Sequence, residues 1–158
     1  MNNTLKLITA IAICELTGIL GSVFTASSVS TWYTTLIKPA FAPPNWVFGP
    51  VWTTIFALMG VAAFLVWRAG LHRRDVRIAL AIGVAQLVLN FLWSVIFFGL
   101  RNPGAAFVEI IILWLAILAT MIAFARVSRT AAWLLVPYIV WVSFAAYLNY
   151  SIWIANIV

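Results

Sequence analysis

The sequence predicts an all-α integral membrane protein, a five-transmembrane-helix bundle, and three observations predict it. Of 158 residues, 66% are hydrophobic and 8% charged, against about 45–50% and 25% in a soluble globular domain. Nine tryptophans and eleven phenylalanines accompany only three acids, more apolar surface than a soluble fold of this size can hide. Five runs, at 7–26, 46–67, 78–100, 105–125 and 132–153, each reach the length of about 20 apolar residues that crosses a bilayer as a helix. A β-barrel would need segments of about ten residues that alternate in polarity, and Ile110, Ile111, Ile112, Leu113, Trp114 and Leu115 do not alternate. A soluble enzyme, a disulfide scaffold, a coiled coil and a disordered tail are excluded. One membrane domain over 1–158 with short loops is expected.

The first span ends in Thr25, Ala26 and Ser27, small residues of the kind found at signal-peptide cleavage sites. Its apolar run is long for a signal peptide, and Glu15 and Gly18 interrupt it, so it is retained as the first helix. Glu15 lies about 16 Å from either membrane face. Such an acid either loads protons or cations in an exporter or stays protonated and hydrogen-bonded to a neighbouring helix. The loop at 27–45 carries Pro39, Pro43, Pro44 and the pair Trp32 and Tyr33. Its prolines predict a stiff segment, either a lid over a site or a stretch resting on the lipid interface.

The second span places Trp52 and Phe56 at i,i+4, and a basic loop at 68–77 follows it. The third places Gln86, Asn90 and Trp93 at i,i+4,i+7, on one face. It also carries Ala79 and Gly83, a small-xxx-small pattern suited to close helix contact or dimerisation. A short turn at 101–104 leads to the fourth span, with Glu109 near its outer end. In the fifth span Pro137 removes a backbone donor and predicts a kink four residues before Trp141. Trp141 and Ala145 share a face. Trp46, Trp67, Trp133 and Trp153 fall near predicted interfaces, where indoles anchor helices.

Depth brings these positions together. From the predicted outer ends, Trp52 is about 9 Å deep, Trp93 about 10 Å and Asn90 about 15 Å; Glu109 is about 6 Å deep and Trp141 about 18 Å. Four helices thus place polar or aromatic groups in the outer half of the membrane, beneath the first loop. One reading is an aromatic ligand pocket, open outward, with a few polar groups. The other is that Gln86 and Asn90 only bind helices to one another.

Charge sets the topology. Lys6, Arg68, Arg73, Arg74, Arg77, Arg126 and Arg129 share one side, and Lys38 and Arg101 the other. The positive-inside rule puts the N-terminus inside and the C-terminus outside. That accounts for the net charge of +6 without a nucleic-acid partner. Cys14 is alone, so no intrachain disulfide is expected, and no Cys/His cluster offers a metal site. His72 stands by itself, no serine has a His/Asp partner, and no glycine-rich phosphate loop implies an ATP-driven mechanism.

Several separated motifs carry a resemblance. Trp32–Tyr33 and Lys38–Pro39 are followed by Pro43, Pro44, Trp46 and Phe48 leading into Trp52. Then come Gln86, Leu87, Asn90 and Trp93, the close Phe97–Phe98–Gly99, Pro137, Tyr138, Trp141, Phe144 and Ala145, and Leu148–Asn149. In this order, over nearly the whole chain, they resemble the TspO/MBR family of tryptophan-rich sensory proteins, which includes the translocator proteins (peripheral benzodiazepine receptors). The resemblance implies a five-helix bundle in a homodimer, with a pocket closed by the first loop. It implies a receptor or sensor for porphyrins and haem-related tetrapyrroles, and for benzodiazepine-site ligands, with protoporphyrin IX or haem as ligand and no required cofactor. Ligand contact is carried over to Trp32, Pro44, Trp52, Phe56, Asn90, Trp93, Trp141 and Ala145. Gln86 and Glu109 would add polar contacts, Glu109 by accepting a pyrrole N–H.

Transport of porphyrins or small lipophilic compounds is an alternative. So is light-dependent porphyrin breakdown, with Trp52 and Trp141 as its catalytic residues. Lys38 or Arg101 at the outer mouth would attract propionates. Two departures stand out. Leu148 and Tyr150 are not followed by the basic residue of the animal sterol motif, and Glu15 lies outside the family pattern. A prokaryotic cell membrane is the expected location.

Overall fold

The structure is a computed structural model, and it describes residues 2–157. Among these, five helical stretches are long and apolar enough to cross a membrane: Asn3–Val29, Asn45–Trp67, Arg74–Gly99, Pro103–Val127 and Arg129–Ala155. Their ends fall within about one turn of the expected ones, the usual ambiguity of helix boundaries. Caps explain the extensions. Asn2 accepts from the Leu5 N–H at 2.8 Å and starts α1 (Asn3–Val29). Asn102 accepts from Ala105 N at 3.0 Å and Pro103 opens α5 (Pro103–Val127), where its missing N–H costs nothing.

The 27–45 segment is not all loop. It holds α2 (Trp32–Thr35), and a 3₁₀ turn, Asn45–Val47, runs into α3 (Phe48–Trp67). Two spans are interrupted. The third consists of α4 (Arg74–Ser94) continued by a π-helical turn, Val95–Gly99. The fifth is α6 (Arg129–Leu134) followed by α7 (Val136–Ala155). The break at Leu135 falls two residues before Pro137, which the sequence marks as the kink.

α1 packs along α3 and against α4; α4 packs on α5, and α5 on α7 and α6. Lipid tails give no hydrophobic drive for helix pairing, so close van der Waals approach has to supply it. A Cβ on Gly60 would lie 2.5 Å from Ile11 Cα, and one on Gly18 would meet the Phe56 ring. These glycines let α1 cross α3 nearly backbone to backbone. Ala79 and Gly83 are used in the same way inside the chain. Ala79 is fully buried, and a Cβ on Gly83 would touch Phe124 at 3.4 Å, so this pattern serves α4–α5 packing and is not a free dimer face. Trp46 and Trp133, at 76% and 72% exposure, stand at helix ends as interfacial anchors do.

Candidate ligand cavity

α3, α4 and α7 put three of the chain's nine indoles, those of Trp52, Trp93 and Trp141, round one space. A cavity of about 440 Å³, within the range of about 300–1,000 Å³ common for small-molecule sites, lies between α1, α3, α4 and α7. Trp52, Phe56, Asn90, Trp93, Trp141 and Ala145 all line it. The Trp52 and Trp141 rings meet at 90° with centroids 6.5 Å apart. Trp52 lies over Phe56 at 5.7 Å, and Trp93 stacks on Phe97 at 5.1 Å. Flat apolar faces therefore meet the cavity from α3, α4 and α7.

Hydrogen bonds hold these faces still. Asn149 accepts from the Trp93 indole N–H at 3.0 Å and donates to Pro103 O at 2.7 Å, tying α4, α7 and the start of α5 together. Asn90 donates to the Tyr138 hydroxyl at 2.9 Å, and that hydroxyl donates to Gln86 Oε1 at 2.8 Å. Gln86 Nε2 in turn points at Met59 Sδ, 3.2 Å away. Gln86 is therefore spent on the interior and does not line the cavity. Asn90 serves both helix contact and cavity wall. The Trp141 indole N–H is buried with no partner among the described residues.

The other expected positions fall elsewhere. Trp32 stands behind the wall, edge-on to Phe97 at 5.7 Å, and Pro44 does not line the space. Glu109 is 8% exposed and lies off the cavity, and neither carboxyl oxygen has a partner among the described residues. Trp114, on the same helix, donates to Ser143 Oγ at 2.8 Å. Lys38 does not reach out for an anion. Its ammonium donates to the carbonyls of Tyr33 at 2.8 Å and Leu36 at 3.3 Å and lies 4.7 Å over the Tyr33 ring. Burial raises the Tyr33 phenol above its ordinary pKa, so it meets the cavity protonated.

Sequence reasoning missed the α1 wall. Gly18, Gly21, Ser22 and Thr25 line the cavity at spacings of i,i+3,i+4,i+7, a stripe of small residues that shares one face. Ser22 and Ala26 of α1, with Gly49 and Thr53 of α3, line it while exposed. The cavity is thus reached from the side, between α1 and α3, and not only from beneath the loop. The loop itself is fastened down. Asn156, just past α7, accepts from Ile37 N at 3.0 Å and donates to Ile37 O at 2.9 Å, while Phe41 stacks on Tyr147 at 5.2 Å.

Comparison with known proteins finds relatives over nearly the whole chain. Residues 10–154 match the TspO/MBR family. The chain is 47% identical to the tryptophan-rich protein TspO of Chlorobaculum tepidum, over 94% of each chain. It is 45% identical to TspO of Archaeoglobus fulgidus, over 98% of this chain and 99% of that one. It is 41% identical to the translocator protein of Homo sapiens, over 86% of this chain and 81% of that one.

Proposed function

The chain belongs to the TspO/MBR family, and from that premise we propose that it is a membrane receptor or sensor that binds a porphyrin-type tetrapyrrole in the aromatic cavity. One observation carries the reading: Trp52, Trp93 and Trp141 converge on a single space. A flat macrocycle suits indole faces, which stack on it and exclude water. Planar aromatic drugs of the benzodiazepine-site type fit the same faces.

The protein would act as a homodimer, with its N-terminus and the basic loops on the inner side of a prokaryotic membrane. Trp52→Phe and Trp141→Phe keep an aromatic ring but reduce its face and remove the indole N–H. Each is expected to weaken protoporphyrin IX binding in the dark by about three- to tenfold while leaving the helical circular dichroism intact. Unchanged affinity in both variants would sink the stacking model.

A further inference from the structure

The cavity wall carries one carboxylate, Glu15, and no lysine, arginine or histidine. Glu15 lies about 18 Å from the Asn3 end of α1 and about 21 Å from its Val29 end, in the middle of the membrane. It is one turn from Gly18, whose backbone abuts the Phe56 ring. Among the described residues Glu15 has no salt bridge, the one pair there being Arg73 with Asp75.

The hydroxyls along the same wall do not serve it either. Thr17 donates to Ile13 O at 2.9 Å, Ser22 to Ile19 O at 2.6 Å and Thr25 to Gly21 O at 3.4 Å. Across the cavity Thr53 donates to Gly49 O at 3.0 Å. Every one of these hydroxyl protons goes to a carbonyl of its own helix. The hydroxyls next along α1 from Glu15 are therefore turned to their own backbone, while the Trp52 and Phe56 rings line the same cavity as Glu15. An ionisable carboxyl at this depth is costly unless something pairs with it, and aromatic faces attract cations as well.

We propose that Glu15 makes the inner part of the cavity a site for planar aromatic cations, whose charge or N–H pairs with its carboxylate while their rings lie against Trp52 and Phe56. The proposal rests on the cavity being a ligand site and adds which chemistry its inner end selects.

The test uses the purified full chain in detergent and two probes: ethidium, a permanent planar cation, and phenanthridine, a neutral analogue of its ring system. Wild type and Glu15→Asp are expected to bind ethidium with similar affinity. Glu15→Gln should bind it about tenfold more weakly, the scale of a hydrogen bond to a charged group, and bind phenanthridine as wild type does. Protoporphyrin IX should displace ethidium from the wild-type protein. Equal ethidium affinity in wild type and Glu15→Gln, or an equal loss for phenanthridine, would overturn the proposal. If protoporphyrin IX still saturates in that case, the cavity reading survives and only the cation site fails. If neither probe nor porphyrin binds the folded protein, both fail together.

Discussion

Tyr138 decides how Asn90 faces the cavity. Its hydroxyl is fully inside the bundle and bridges two amides, accepting from Asn90 and donating to Gln86. Removing it leaves an amide donor and an amide acceptor without partners in a medium that offers no water. Tyr138→Phe is therefore expected to cost about 1–3 kcal/mol of stability, read as a lower unfolding temperature in detergent, and to weaken porphyrin binding because Asn90 is freed to rotate. A variant as stable as wild type would show that the bridge is not maintained in the membrane protein. In the sequence, Gln86 and Asn90 stand equally well for a polar pocket edge and for helix pairing. The two divide between those roles, because the partner that separates them comes from α7, and no spacing within the third span reports it.

At the scale of elements, the first loop was legible as stiff but not as fastened. Its prolines predict restricted backbone, whereas the anchor is Asn156, at the far end of the chain, which holds both the N–H and the C=O of Ile37. Asn156→Ala should free that peptide group. Amide hydrogen exchange at Ile37 is expected to speed up by at least about tenfold, as expected when a protected amide loses its partner, with the α3 and α5 cores unaffected. Unchanged exchange would mean that Phe41 packing on Tyr147 holds the loop alone. The π turn Val95–Gly99 was equally hidden. Within it Phe97 and Phe98 are both interior, at 2% and 9% exposure. Pro137, by contrast, announced its break openly, since proline cannot donate within a helix.

Across the whole molecule, the five spans were readable because hydrocarbon demands about 20 apolar residues in a row and this chain supplies five such runs. The α3, α4 and α7 walls of the cavity were readable because tryptophan and asparagine are conspicuous inside a membrane span. The α1 wall was not, since Gly18 and Gly21 contribute only absence of bulk, and the hydroxyls of Ser22 and Thr25 bond to their own helix. Trp32 and Pro44, expected at the ligand, do not line the cavity, and Trp32 packs edge-on to Phe97. What joins these levels is the claim that the aromatic space is a tetrapyrrole site. A titration of the folded wild-type chain with protoporphyrin IX in the dark, followed by tryptophan fluorescence, tests it most directly. Saturable quenching at one porphyrin per chain is the predicted result, and quenching that rises in proportion to added porphyrin without saturating would contradict it.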